Sequence, residues 1–436
     1  MKLHRPHTGN PLRSMKFSKL EHFLERIFSP QIFKENLWLR VVYYALTLHS
    51  ILLFSAWRDT GVLTTQSLQS NGFSCWPYFL SCDVFYVFSD MPSSYSLGIL
   101  YTILGTGIAL SCIYAIRDRW ALALFFLFLI TCFKIFVVYI ASYSLPTNYN
   151  ELVILISILL LFARERIFAL KICSTLFYYA AFFNKLHSGY LSGDVFTSLA
   201  LGLPFVPDTV LPYFGILFMI MLLILPTLLW SQSRRVRILA AICLMVFHLS
   251  TIAIVGFMYP LLCIPLILLT IHSPQKIFSL KTISTDRLLF LIVLLMIVGQ
   301  LFSLMIPGDN RLTGEGTKFG FYMHDANHQC SGFLEQKKTD RAVQLFPYSN
   351  GMAMGVCDPY RLWFTSRSLC AHTDTESVSM YFKHSMNGGR FYELVNEENI
   401  CSKSYSLIQH NEWIHTNRPL PEWPPKNSFL ISNTLP

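Results

Sequence analysis

The sequence predicts a polytopic α-helical membrane protein with about nine spans and a C-terminal, β-rich domain on the exoplasmic side. Of the 436 residues, 53% are hydrophobic and only 14% are charged, whereas soluble proteins carry roughly 25% charged residues. Apolar runs that can cross a hydrocarbon core of about 30 Å recur from Val41 to Ile306, which excludes a soluble fold for this stretch. The net charge of +9 does not indicate nucleic-acid binding, because Lys and Arg cluster between the apolar runs.

The apolar runs give the predicted spans in chain order. They lie at residues 41–57, 97–116, 120–141, 149–163, 167–186, 211–230, 236–255, 257–272 and 288–306. The seventh and eighth spans share one run, because residues 238–271 are too many for a single crossing at about 1.5 Å per residue. We expect Gly256 and Pro260 to break this run. About 40 mixed-charge residues precede the first run, so a cleavable signal peptide is not expected.

The basic residues predict the orientation. With the N-terminus inside, the cytoplasmic segments hold nineteen Lys and Arg residues and the opposite loops hold one, Arg58. This bias places the part after Ile306 outside. The predicted regions are a cytoplasmic segment at 1–37, a transmembrane domain at 38–306 and an exoplasmic domain at 307–436. Within the last region, residues 360–364 and 377–382 alternate in the manner of strands.

The cysteines agree with this orientation. Five of the eleven fall within predicted spans, and the other six lie on the exoplasmic side: Cys75, Cys82, Cys330, Cys357, Cys370 and Cys401. An even number in an oxidising compartment predicts disulfides, and the lack of a CxxC pair disfavours a metal site. The connectivity stays open, including a bridge from the first loop that would clamp the C-terminal domain over the helices. The lack of an exoplasmic N-x-S/T sequon favours a bacterial inner membrane.

The most informative segment for chemistry is residues 178–193, at the exoplasmic end of the fifth span. Lys185 lies there among aromatic residues, against the charge rule. One interpretation is that its side chain extends to the headgroups without further function. The other is that the aromatic residues exclude water and make a neutral amine available as a general base. Asn184 and His187 are placed to hold it by hydrogen bonds.

Two other ionisable residues lie in predicted spans. His248, in the seventh span, can form a hydrogen bond between helices or take part in a functional site. Lys134, in the third span, needs a partner or a water-filled cavity, and the expected partner is Glu151.

These residues carry a resemblance to a known family. The segment from Tyr178 to Leu186, followed by Leu191-Ser192-Gly193, resembles the segment that bears the catalytic lysine in vitamin K-dependent gamma-carboxylases and their bacterial relatives, the HTTM (horizontally transferred transmembrane) domain proteins. Residues 247–249 and 254–258 are similar to the histidine-bearing later span of that family, and residues 313–324 are similar to the start of its exoplasmic domain.

The resemblance implies a function and a set of site residues. Lys185 would be the base that deprotonates reduced vitamin K, whose epoxidation with oxygen drives the addition of carbon dioxide to a peptide glutamate; His248 would be a second catalytic residue. Asn184 and His187 would bind substrate, as would Tyr149, which replaces a histidine expected before the fourth span. The implied enzyme is a lyase, and its partners are membrane lipid, a quinol and a secreted peptide or protein, with no nucleic acid.

Two alternatives stay open. The chain could be a non-enzymatic maturation or immunity factor for a secreted peptide, with Lys185 serving structure alone. A transporter is less favoured, because transporters usually contain paired half-repeats and the sequence shows no internal symmetry.

Overall fold

The computed structural model describes residues 11–59, 75–79, 93–141, 143, 148–198, 206–252, 256–272, 278–322, 325–336, 341–351, 357–371 and 376–419. Helices fill the described parts from Pro11 to Thr313, and a four-stranded sheet with one helix and one short 3-10 turn follows. The predicted helical and sheet regions are therefore both present.

The helices of the first part follow the predicted apolar runs. In chain order they are α1 (Pro11–Phe28), α2 (Gln31–Glu35), α3 (Leu37–Asp59), α4 (Ser93–Ile116), α5 (Trp120–Phe136) with a π-helix at Val137–Ala141, α6 (Asn148–Phe162), α7 (Arg166–Lys185), α8 (Ser188–Leu191), α9 (Asp194–Thr197), a 3-10 turn at Asp208–Val210, α10 (Leu211–Leu228), α11 (Arg234–Ser250), α12 (Met258–His272), α13 (Leu280–Thr285), α14 (Arg287–Met305) and α15 (Asn310–Thr313).

Length and hydropathy identify the candidate membrane spans. Four helices are long and apolar enough to cross a membrane: Trp120–Ile140, Arg166–Lys185, Leu211–Leu228 and Arg287–Met305. Four shorter apolar helices lie at Leu37–Leu52, Tyr101–Ile116, Tyr149–Phe162 and Met258–His272. The protein is thus largely helical, with four candidate membrane-spanning helices among the described residues, and the count of nine crossings stays a prediction.

The long apolar run at 238–271 is divided as the sequence predicts. Helix α11 ends at Ser250 and α12 begins at Met258. Between them, Gly256 has a φ of +71°, a conformation that L side chains rarely adopt. Pro260 lies in the first turn of α12, where its missing N–H disrupts no intrahelical hydrogen bond.

The segment after Lys185 contains two short helices, α8 and α9, in its described part. Gly193 separates them with a φ of +80°, and a Cβ atom there would lie 2.7 Å from the backbone nitrogen of Pro212. This close approach packs the turn against the start of α10. Phe196 is buried there and contacts Phe218 with ring centroids 5.8 Å apart.

The sheet consists of β1 (His328–Gln336), β2 (Arg341–Gly351), β3 (Val378–Met386) and β4 (Phe391–Glu397), in the antiparallel order β2-β1-β3-β4. Strand β3 confirms the strand predicted at 377–382. The strand predicted at 360–364 is wrong, because this segment belongs to helix α16 (Pro359–Cys370). Asp358 caps that helix by accepting a hydrogen bond from Tyr360 N at 3.0 Å, and Pro359 occupies its first turn.

Two disulfide bonds cross-link the C-terminal domain, as the cysteine count predicts. They join Cys330 to Cys357 and Cys370 to Cys401. Cys75 is also disulfide-bonded, whereas Cys82 lies outside the described residues. The four C-terminal cysteines pair among themselves. None of them therefore forms the suggested disulfide bridge to the first loop.

Noncovalent contacts join the first loop to the C-terminal domain instead. The hydroxyl of Tyr360 donates a hydrogen bond to the carbonyl of Cys75. Trp76 packs edge-on against Tyr143, with ring centroids 5.3 Å apart, and both rings belong to the core of the domain. The domain is therefore seated on the helices through buried aromatic side chains.

Candidate functional site

Lys185 is the last residue of α7, where the helix meets the C-terminal domain. Its side chain is only 6% exposed, although the helix ends there. The ammonium nitrogen lies 5.7 Å from the centroid of the Tyr190 ring, which is buried in the next helix, α8. An ammonium in this position is favoured by the helix C-terminus and by the aromatic face. The structure thus places Lys185 inside a protein pocket and not out among the headgroups.

Asp325 faces this lysine from the segment that enters β1. The residue is 2% exposed and interacts electrostatically with Lys185. Its Oδ2 atom is buried and accepts no hydrogen bond from the part of the chain that the structure describes. Burial raises the pKa of the Asp325 carboxyl, while Lys185 and then Arg311 act in the opposite direction. A buried carboxyl with a raised pKa beside an amine can accept a proton from it.

His187 connects the end of α7 to the same segment. Its Nε2 lies 2.8 Å from the backbone oxygen of Asp325, so Nε2 carries the hydrogen that the carbonyl accepts. Burial and the charge of Arg311 lower the pKa of His187, and the carbonyl and carboxyl of Asp325 oppose this. The imidazole therefore fixes the backbone from which the Asp325 side chain projects.

Asn184 forms a closed ring of hydrogen bonds with Gln300 and Phe321. Its Nδ2 donates to the carbonyl of Phe321 at 2.6 Å, and its Oδ1 accepts from Gln300 Nε2 at 2.6 Å. Gln300 Oε1 in turn accepts from the backbone N–H of Phe321 at 3.1 Å. The ring ties α7 to α14 and to the segment before Asp325. Asn184 thus positions the site, and its predicted role in substrate binding stays a prediction.

The tip of the sheet covers the site from the other side. Asn327 Nδ2 donates to the carbonyl of Ser198 at 2.8 Å, next to α9. Asn387, in the turn between β3 and β4, accepts a hydrogen bond from Asn327 N at 2.8 Å. A Cβ atom on Gly189 would lie 2.4 Å from Asn387 Nδ2, so a larger residue would displace this contact. Lys185 is therefore enclosed between the helix end and the sheet.

Arg311 adds a second positive charge near Asp325. It is held by Asp309 through two hydrogen bonds, Nε to Oδ1 at 2.8 Å and Nη2 to Oδ2 at 2.7 Å. Its charge acts on both Asp325 and His187. Because the fork of Arg311 is engaged by Asp309, the charge is fixed in place.

His248 and Tyr149 form contacts outside the Lys185 site. His248 Nε2 is 2.6 Å from the hydroxyl of Tyr178, which precedes Lys185 by two helical turns, or roughly 10 Å. Tyr149 donates a hydrogen bond to the carbonyl of Met258 at 3.0 Å, and its ring lies 4.5 Å from that of His49. The structure therefore brings Lys185, Asn184 and His187 together, and it places His248 and Tyr149 in contacts of their own.

Glu151 is not the partner of Lys134. The electrostatic partner of Glu151 is Lys318, whose ammonium lies 4.6 Å from the Tyr143 ring beneath the C-terminal domain. Lys134 Nζ is buried without a hydrogen bond to any described residue. The electrostatic interaction of Glu151 is thus with Lys318, in the segment that precedes the sheet, and not with Lys134.

Asp325, Arg311 and Tyr190 are the site residues that the sequence did not single out. Asp325 directly follows the family-like segment 313–324, and an acidic residue at the end of that glycine-containing segment is the signal that could have found it. Comparisons of the chain with protein-family models, curated proteins and solved structures gave no match. No cluster of His, Cys, Asp or Glu suited to a metal ion occurs among the described residues.

Proposed function

We propose that the protein is a membrane enzyme that uses Lys185 as a general base on a quinol, in the manner of the vitamin K-dependent gamma-carboxylases, with carboxylation of a peptide glutamate as the outcome. The observation that carries this proposal is the buried Lys185–Asp325 pair at the end of a membrane helix. Ionisable groups this well buried are costly, and their presence favours a functional role over a structural one.

The surroundings of Lys185 suit an aromatic, lipid-soluble substrate. Tyr190, Phe196, Phe218 and Leu211 form a buried apolar cluster next to the lysine, and the partly buried Phe182 packs against it. Such a wall binds flat apolar rings, and a few polar groups then fix their orientation. Reduced vitamin K would supply the reducing power and the reaction with oxygen, and the chain would supply the base.

Residues of the chain itself can handle the proton. A protonated Lys185 cannot act as a base, so its proton must first be held elsewhere. Asp325 is the acidic group that faces it, and its buried, unbonded Oδ2 can take the proton to leave a neutral amine. His187 bonds the backbone oxygen of Asp325, and the charge of Arg311 acts on the Asp325 carboxyl. The sheet then excludes bulk water from the pair.

The test is an assay of purified full-length protein with vitamin K hydroquinone, oxygen, carbon dioxide and a glutamate-containing peptide. We expect formation of the epoxide in the wild type. Epoxide without carboxylated peptide would limit the proposal to an epoxidase, and no epoxide from protein that is folded and fully inserted would refute it.

A cavity in the C-terminal domain favours the non-enzymatic alternative of a secreted-peptide factor. It has a volume of about 450 Å³ and lies beside α16, lined by Trp363, Arg367, Lys403 and Tyr405. Aromatic walls with cationic groups suit acidic peptide segments. Under this alternative, peptide binding would survive every substitution of Lys185.

A further inference from the structure

Two basic side chains lie in the core of the helical bundle, away from the Lys185 site. Lys134 is on α5 and is 1% exposed; His49 is on α3 and is fully buried. They interact electrostatically, so they face the same interior region. Both are among the polar groups that a helical bundle buries only at considerable cost.

The polar atoms of these two residues have no hydrogen-bond partners in the described part of the chain. This holds for Lys134 Nζ and for both ring nitrogens of His49. Buried polar groups are almost always hydrogen-bonded, and an unsatisfied one costs about 1–3 kcal/mol or more. No ion pair to Lys134 occurs among the described residues, and Glu151 is engaged with Lys318. The pair therefore offers donors and positive charge without an acceptor among the described residues.

The surrounding backbone is also unusual. Three residues after Lys134, the π-helix at Val137–Ala141 begins and continues α5. π-Helical turns are rare and frequently occur at functional sites. On the other side, the ring of Tyr149 packs against His49 with centroids 4.5 Å apart, and Tyr149 is itself anchored to Met258. The two basic groups are thus held by three helices, α3, α5 and α6.

We propose that Lys134 and His49 bind a small inorganic anion within the bundle. The ammonium supplies the charge and up to three donors, and the N–H of the imidazole supplies another. The two residues are 1% and 0% exposed, which favours an ion of few atoms, such as chloride, nitrate or bicarbonate, over an organic acid. The anion site shares no residue with the Lys185 pocket. The proposal of an anion site can therefore be tested independently of the proposed quinol chemistry.

The experiment measures thermal unfolding of the full-length protein in detergent, purified in sodium gluconate. Chloride, nitrate and bicarbonate are titrated at constant ionic strength, with sulfate as a larger, doubly charged comparison. A bound anion stabilises the folded state in proportion to the logarithm of its concentration above Kd. We expect the unfolding midpoint to rise with the logarithm of the concentration of at least one small anion, and not to rise with sulfate. No concentration-dependent rise with any of the three small anions would overturn the proposal.

Matched variants assign the effect to the site. Lys134→Met and His49→Leu should each remove the anion-dependent shift, whatever they do to the midpoint in gluconate. Lys171→Met is the control, because Lys171 is a lysine of similar burial on α7 whose ammonium lies over the Trp230 ring at 4.1 Å. That variant should keep the shift. If Lys171→Met abolished it, or if Lys134→Met and His49→Leu both retained it, the anion would bind elsewhere and the proposal would fail.

Discussion

At the scale of single residues, the environment of Lys185 differs from that of a lysine at the membrane interface. A lysine that extends to the headgroups keeps its charged end in water. Lys185 is instead 6% exposed, with an aromatic ring on one side and a carboxyl opposite. This environment suits the proposed general base, because water would otherwise compete for the proton.

The first prediction concerns Lys185→Ala and Lys185→Arg. If Lys185 is the base, both variants should lower epoxide formation by on the order of 10²-fold or more, because arginine stays protonated and accepts no proton. A structural lysine predicts that arginine restores whatever alanine loses. Epoxide assays at matched levels of inserted protein compare the two, and wild-type turnover in the arginine variant would exclude the catalytic role.

The second prediction concerns Asp325, which acts through Lys185. Asp325→Asn keeps the shape of the side chain but removes the group that accepts the proton, so turnover should fall by at least about tenfold. Asp325→Glu should recover part of that loss. KM for the quinol should change little in either variant, because Asp325 does not form the aromatic wall. A rise in KM at unchanged kcat would indicate that the residue serves binding.

At the scale of elements, the Asn184 ring joins α7, α14 and the segment that leads to the sheet. Asn184→Ala leaves buried groups of Gln300 and Phe321 unsatisfied, so it should destabilise the protein by about 1–3 kcal/mol. Gln300→Ala should cost a similar amount, and the double variant should cost less than the sum, because both remove the same ring. Thermal unfolding in detergent tests this, with the exposed Asn396→Ala as control. Additive effects would show that the ring is not a unit.

The sheet contains a buried histidine pair that makes its stability depend on pH. His384 is fully buried, its Nδ1 donates to the carbonyl of Leu312, and its Nε2 lies 3.1 Å from His328 Nδ1. Burial lowers the pKa of His384 from 6.5 to about 3. The folded state therefore disfavours protonation, so this contribution is complete above pH 6.5 and is lost as the pH falls from 6.5 towards 3.

We expect the wild type to lose roughly 2–3 kcal/mol of stability through His384 between pH 6.5 and pH 4.5. His384→Gln retains a donor for the carbonyl but does not titrate, so its stability should depend less steeply on pH over this range. His22→Gln, which changes an exposed histidine, is the control. Unfolding midpoints measured at several pH values give the slopes, and equal slopes for wild type and His384→Gln would contradict the assignment.

Sequence reasoning succeeded where the signal was local. The division at Gly256 follows from run length and backbone chemistry, and Lys185 stands out because it violates the charge rule. It failed at residues 360–364, where alternation suggested a strand but the cap at Asp358 and the following proline start a helix. Asp325 was missed because its significance depends on a contact with a helix end far away in the chain, which no local pattern records.

At the scale of the whole molecule, the segments that connect the helices form two groups, and contacts join the members of each group. In one group, Arg119 forms two hydrogen bonds with Glu21 of α1, and Asp286 accepts a hydrogen bond from Arg164 N at 2.9 Å. In the other, the end of α7 meets the segment that follows α14 through the Asn184 ring. These are the groupings that the basic residues predict for the inner and outer sides. The contacts alone do not distinguish inside from outside, which depends on the charge bias.

The last prediction is therefore the orientation, with the N-terminus inside and the C-terminal domain outside. Nineteen basic residues in the predicted inner segments against one in the outer loops favour it, because translocating such clusters is unfavourable. A phosphatase fused after Ile306 should be active and a fluorescent cytoplasmic reporter at that position dark, while fusions after Asp118 should give the opposite result. If both positions reported the same side, the number of crossings between them would be wrong by one. If that side were the inside, the C-terminal disulfides would lie in a reducing compartment, where Cys330–Cys357 and Cys370–Cys401 would not persist.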